Sequence, residues 1–470
     1  MVTPTLSHYR LVVFAKLILT SPLHIGSGKE DFFSDQPVIR NTGGKPYIPA
    51  GTLAGSFAAS IDEKQKNNWM GNPTGSEDPN VSSLVMDDAF PLPEQAARLL
   101  WPVEHRFHVT LMRESLSALP DHHFNTEILP VGTIFIFSCR CDLTDDVKAF
   151  KEALKRFLAT GGKLGGKQNA GQGEWQCHEL KCALRELKMN DPADLIDWLT
   201  DFHGYTWDGK WASLENKFHM DIESFEDIQK VSLENPWQIE LQIEIKEGFH
   251  LSAGESGFPK KEMADLYQAQ RRIIDENGEF KTSELVDFGT SIKGRIRTAM
   301  EMVLRTWLIQ FEKYIEDETI KTVPLNPTHK SPNEGIASLF GHTRKKGQFR
   351  VEEHPWKNGD MTRQDHIQLD EFTQQVIRGA KFEFSPMNKG KTETRICLSA
   401  GAPDWQKALL FSACKILSLN VLPWGGHGSR GYVGADVTMI NIEMLENEIK
   451  SKEWRAEFKR CVEKGGAING

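Results

Sequence analysis

Hydrophobic and polar positions repeat along this chain in two similar series. Leu11–Leu19 is an apolar run broken only by Lys16, and it predicts a buried strand. It is followed by Pro22-Leu-His-Ile-Gly-Ser-Gly28. Gln238-Ile-Glu-Leu-Gln-Ile-Glu-Ile-Lys246 alternates polar and apolar residues and predicts a second strand, followed by Gly248-Phe-His-Leu-Ser-Ala-Gly254. Ile48-Pro-Ala-Gly-Thr-Leu-Ala-Gly55 and Phe288-Gly-Thr-Ser-Ile-Lys-Gly294 then each open a helix. Trp69-Met-Gly71 matches Leu339-Phe-Gly341, and His108-Val-Thr-Leu111 matches His366-Ile-Gln-Leu369. Both series end, after a strand and a helix, in glycine-rich loops, Gly165–Gly173 and Gly425–Gly434. Several motif pairs in one order indicate an internal duplication. The second copy carries insertions, one of them between Gly254 and Phe288.

This alternation of strands and helices predicts an α+β fold with mostly antiparallel sheets. The expected organisation is a first domain over 1–185, a structured, acidic linker with room for short helices over 186–235, a second domain over 236–445 and a helical tail over 446–470. The linker assignment rests on polar, acidic composition. The tail assignment rests on the helical spacing of Ile442, Leu445 and Ile449.

Composition is that of a core-forming chain: of 470 residues, 39% are hydrophobic and 26% charged. Leu11–Leu19 is too short to span a bilayer, so no membrane partner is expected and a cytoplasmic location is. The seven cysteines do not form a familiar zinc pattern and read as reduced, structural thiols. With 56 basic against 65 acidic side chains the net charge is −9, against the usual basic balance of a nucleic-acid binder. Positive charge is local, however, in Lys151–Lys167, Lys293–Arg297 and His342–Arg350.

Glycine loops bring backbone N–H groups close to anions, and a helix start favours phosphate. Gly165, Gly166 and Lys167 in one loop, and Gly425, Gly426, His427 and Arg430 in the other, are therefore candidate phosphate contacts. Neither loop matches a Walker or dinucleotide-binding pattern, and a plain tight turn accounts for them equally well. Lys293 and Arg297, four apart, share one helix face near its start, with Arg295 between them. The first copy has no such charges at Thr52–Phe57.

The string Leu23-His-Ile-Gly-Ser-Gly28, Asp35-Gln-Pro-Val-Ile-Arg40 and Pro46-Tyr-Ile-Pro-Ala-Gly-Thr-Leu-Ala-Gly55 resembles the N-terminal signature of the RAMP superfamily. Within it, the chain looks like the backbone subunits of type III CRISPR effectors, the Csm and Cmr kind of the Cas-seven family, in a tandem, subtype-D-like fusion. The resemblance covers most of both halves. It implies two ferredoxin-like (RRM-like) domains, each with a projecting β-hairpin thumb, within Arg106–Glu127 and about Glu353–Arg378. It implies crRNA and target single-stranded RNA as ligands, and the other backbone, large and small effector subunits as partners.

In catalytic members of the family an aspartate after the first strand cuts target RNA, helped by a divalent ion such as Mg2+. Asp35 occupies that place, with His24 and Arg40 as phosphate-positioning candidates. In the second copy Asp265 is the nearest analogue, Asp275 another, and a well-formed site is not expected there. The resemblance leaves two other readings: a non-cutting RNA scaffold, and a guide-processing endoribonuclease. The absence of an evident Tyr/His/Lys cluster at the glycine loop weighs against the latter.

Overall fold

A computed structural model describes residues 8–71, 81–100, 104–111, 118–144, 146–202, 204–228, 236–251, 266–310, 339–341, 347–422, 424–426, 431–450 and 453–466. Two antiparallel sheets organise it. In the first, the strands lie in the order Leu84–Met86, Ile134–Leu143, Tyr9–Leu19, Glu174–Lys188. In the second, the order is Phe349–Val351, Met387–Leu398, Trp237–Phe249, Val433–Met439. Along the chain each sheet is built strand, helix, strand, strand, helix, strand, with the first strand central. The helices are Ala50–Ala58 and Val147–Thr160 in one copy, Gly289–Gln310 and Asp404–Ser418 in the other. This is the ferredoxin-like arrangement, present twice.

Strand and helix periods explain the packing. Leu11, Val13, Ala15 and Leu17 alternate along the first strand and face the main core. Phe150, Ala153, Leu154, Phe157 and Leu158 recur at helical spacing on Val147–Thr160 and close that core from the other side. Ile292, Ile296, Ala299, Met300 and Val303 do the same on Gly289–Gln310 in the second copy.

The stretch expected to be a structured linker folds as a cap on the first sheet. Glu174–Lys188 runs on past 185, and Asp221–Ser224 pairs with it. Trp198, Phe202, Trp207, Leu214 and Phe218 pack over Val12 and Phe14, on the sheet face opposite the main core. Polar composition hid this because the cap needs only a few large aromatic residues, spaced among charges that stay in solvent. The tail is likewise part of the second domain: Leu445 and Phe458 are buried in its core, and Trp454 stacks on Trp307 with ring centres 4.5 Å apart.

Each copy inserts a hairpin between its edge strand and the next. The first, Glu104–Leu111 with Ala118–Ile128, matches the expected thumb. The second pairs Gln364–His366 with Phe382–Ser385, joined by a tip where Leu369 bridges Val376. Its return strand therefore lies beyond Arg378, outside the expected range. No helix among the described residues is long and apolar enough to cross a membrane.

The copies pack closely on each other. The hairpin Gln270–Ile274 with Phe280–Leu285, part of the second copy's insertion, docks on the first copy. Val131 bridges Ile273, and Gln95 Nε2 donates to the Asp275 carbonyl at 2.8 Å. At a second contact, buried Arg106 donates to both carboxylate oxygens of Glu353 at 2.6 and 2.9 Å and lies over the Phe288 ring. Buried Glu104 joins this group, its carboxylate accepting the Arg272 N–H at 3.0 Å.

Candidate nucleic-acid interface

The first copy's loop after its central strand is fastened before it reaches Asp35. Asp31 Oδ1 accepts the N–H groups of Phe33 and Ser34 at 2.8 and 2.7 Å. The Asp35 N–H donates to Asn125 Oδ1 at 3.0 Å, and Asp35 Oδ2 accepts the Asn125 N–H at 2.7 Å. Asp35 is exposed, and its other carboxylate oxygen accepts no bond among the described residues. The turn before Pro37 thus ties the aspartate to the hairpin and holds the free oxygen toward solvent.

Arg40 and His24 are turned inward. Arg40 donates to the carbonyls of Gly44 and Leu99 and pairs with Glu127, whose other carboxylate oxygen accepts the Val38 N–H at 2.9 Å. His24 is buried, and its Nδ1–H donates to the Glu127 carbonyl at 2.8 Å. Burial lowers its pKa, so the ring is neutral and the carbonyl fixes which nitrogen keeps the proton. Both side chains brace the hairpin root rather than face solvent.

The glycine loops answer to close backbone approach. A Cβ on Gly165 would stand 2.2 Å from the His24 carbonyl oxygen, and the Gly166 N–H donates to that oxygen at 2.7 Å. In the second copy the Gly426 N–H donates to the His250 carbonyl at 2.6 Å, and Gly425 has φ +124°. The N–H groups of Gly166 and Gly426, two of those offered as phosphate contacts, are spent inside the protein. His24 and His250, aligned by the sequence repeat, play the same backbone role.

Further along the first loop, Gly171 and Gly289 admit the other copy. A Cβ on Gly289 would lie 2.0 Å from the Ala170 carbonyl oxygen, and one on Gly171 would lie 2.8 Å from the Glu353 nitrogen. Gly165–Gly173 is thus in part an inter-domain joint.

Lys167, at φ +55°, leaves this loop and reaches the hairpin. Its Nζ donates to His108 Nε2 at 2.9 Å and Thr126 Oγ at 2.6 Å. The His108 ring stacks on Phe124 across the hairpin, centres 5.0 Å apart. Burial, then the neighbouring Arg106, pulls Lys167 down to about 7; burial, then Lys167, pulls His108 down to about 3. The second copy repeats the device with different chemistry. His366 stacks on Phe382 at 5.2 Å, and its Nε2 lies 3.1 Å from the Tyr432 hydroxyl, which comes from the end of the second loop. Sequence reading named Lys167 but missed its partner, although His108 and His366 stood in matched motifs.

Lys293 and Arg297 do share one face, and that face packs on Phe340. Lys293 Nζ donates to the Phe340 carbonyl at 3.3 Å, and burial, then Arg297, lowers it to about 8. Arg297 pairs with Glu301 at 2.9 Å. Arg295 bonds Ser291 at 2.7 Å and lies over Trp424, and burial lowers its pKa. Asp275 caps its own turn, its Oδ1 accepting the N–H groups of Asn277 and Glu279 at 3.0 Å. Asp265, His427 and Arg430 lie outside the described residues. Cys139, Cys141, Cys177, Cys182, Cys397 and Cys414 are buried and unpaired.

Three comparisons bear on this arrangement. A search of curated proteins finds no match. Among solved structures, one described as a type III-B Cmr-beta cryo-EM structure of the apo state is similar at 12% identity with a TM-score of 0.30, over 37% of this chain and 98% of that one. The family model of the RAMP superfamily matches residues 16–174 and again 288–432, more than half of the chain. Each match runs from a copy's early elements into its glycine loop, and the chain belongs to the RAMP superfamily, carrying its domain twice.

Proposed function

We propose that this protein is a crRNA-binding backbone subunit of a type III CRISPR ribonucleoprotein, and that its first copy cuts target RNA through Asp35. Family membership supports the RNA-complex reading. The observation that carries the cutting assignment is the exposed Asp35 carboxylate, held by Asn125 with one oxygen unbonded among the described residues. In this reading that oxygen accepts the proton of a ribose 2′-hydroxyl. The 2′-oxygen attacks the adjacent phosphorus in line, the bond to the 5′-oxygen breaks, and that oxygen takes up a proton.

No three His, Cys, Asp or Glu side chains gather into a metal cage among the described residues. A divalent ion such as Mg2+ would therefore take most of its ligands from water and RNA phosphate, with Asp35 supplying one. Its chemistry would be to neutralise charge on the phosphate.

The test is to assemble the complex with wild-type or Asp35→Ala protein and map target-RNA products. One cut should fall by about 10²–10⁴-fold, while assembly and target binding persist. EDTA should suppress the same cut if the ion takes part. Undiminished cleavage at every site sinks the assignment and leaves a non-cutting scaffold.

The Lys167–His108 pair favours one other reading, guide processing by metal-independent acid–base chemistry. A Lys near neutrality bonded to an unprotonated imidazole is a proton-transfer pair beside a hairpin. Precursor cleavage that resists EDTA and Asp35→Ala but disappears in Lys167→Met would establish it. Unchanged precursor processing in Lys167→Met would remove it.

A further inference from the structure

Asp35 shares its loop with two aromatic rings. Phe32 is 94% exposed and Phe33 53%, their centres 5.2 Å apart in an edge-to-face pair. Rings this exposed ordinarily retreat from water. Here the backbone under them is pinned by Asp31 on one side and Asn125 on the other, so the loop presents them.

Beyond Asp35 lies a second aromatic surface. Side chains alternate along a strand, so Asn125 and His123 lie on one face of the hairpin. Phe107 stands opposite Asn125 in the register and stacks on exposed His123, centres 5.5 Å apart and planes 24° from parallel. Asn125 is the residue that holds Asp35. Asn125 thus joins the loop that carries the phenylalanine pair to the strand that carries the Phe107–His123 stack, with Asp35 at the joint. Val109, opposite His123 in the register, adds an exposed apolar side chain on this face, and Lys29 and Glu30 are exposed on the loop. Exposed rings on two separate elements, joined at a carboxylate, suit flat bases with polar edges. A protein partner is better served by continuous apolar area.

Building on the reading of Asp35 as an RNA-facing residue, we infer that these two surfaces are nucleobase-stacking platforms. They take the bases on either side of one phosphodiester of single-stranded RNA, and the linking ribose and phosphate pass over Asp35. Stacking on a π-face tolerates every base, so the site places the strand without reading its sequence.

The experiment uses the full-length protein and single-stranded RNAs carrying 2-aminopurine at one scanned position. Wild-type protein should quench two neighbouring positions. Phe32→Ala with Phe33→Ala should abolish one quench, and His123→Ala the other. Both alter exposed side chains, so thermal melting should match wild type. RNA affinity should fall roughly tenfold with each platform lost. Quenching that persists in both variants overturns the platforms and leaves the Asp35 assignment, read by product mapping, standing. Unchanged RNA binding with failed assembly into the larger complex also overturns them, and marks the loop as a protein contact. Absence of any quench with wild-type protein overturns them too.

Discussion

At the scale of single residues, the clearest case is a lysine whose charge is set by where its backbone leads it. Lys167 was legible as a basic residue in a glycine loop. Its partner His108 was not, because the contact depends on the hairpin folding back over the loop. Burial lowers Lys167 to about 7 from an ordinary value near 10.5. Between these values the unfolded chain binds the proton and the folded one does not, so stability rises with pH across that window. The rise is at most about 1.4 kcal/mol per pH unit for one group. Urea denaturation at pH 7.5 and 9.5 should show an upward slope that Lys167→Met flattens; an equal slope in both proteins would place the charge elsewhere. Arg40 shows the opposite limit of residue-level reading. Its position in the motif was plain, but only the fold reveals that Glu127 and two carbonyls take its donors.

Elements were more legible than side chains. The buried first strand, the alternating Gln238–Lys246 strand and the helix starts at Ala50 and Gly289 all follow from period and punctuation. The acidic cap did not, since its aromatic residues follow no simple period and its exposed acids dominate the composition. The first hairpin stands on a root held by Asn125, Thr126 and Glu127, each bonded to the loop of Asp35–Arg40. Deleting the connection between Leu111 and Ala118 leaves that root intact, so the palm should stay folded, as hairpin tips usually tolerate deletion. In the proposed function the cut should then lose its fixed position. Products that keep their ends after the deletion would show that the hairpin does not set the register of cleavage.

For the whole molecule, the decisive contacts join residues far apart in sequence, and no local pattern announces them. Arg106 and Glu353 are 247 positions apart and meet in the interior. Burial raises the pKa of Glu104, and Arg106, which pairs with both Glu104 and Glu353, opposes that rise. Arg106→Met should cost about 3–5 kcal/mol, the usual penalty for stranding a buried charge. Chemical denaturation of the full chain reads this directly, and a loss under about 1 kcal/mol would show that water reaches the group.

The close approach of Gly171 and Gly289 to the opposite copy has a consequence for what the fusion of two copies achieves. Each glycine removes a side chain so that one copy's backbone can rest on the other's. Were the copies separate polypeptides, that seat would have to form by encounter, at cellular concentration, with a buried arginine and two acids to align. Joined in one chain, they meet at an effective concentration set by the connection. The ratio of the two copies is one to one by construction, and so is their order along any strand they share. A gene carrying both copies fixes their pairing, which two genes would have to negotiate anew at each assembly.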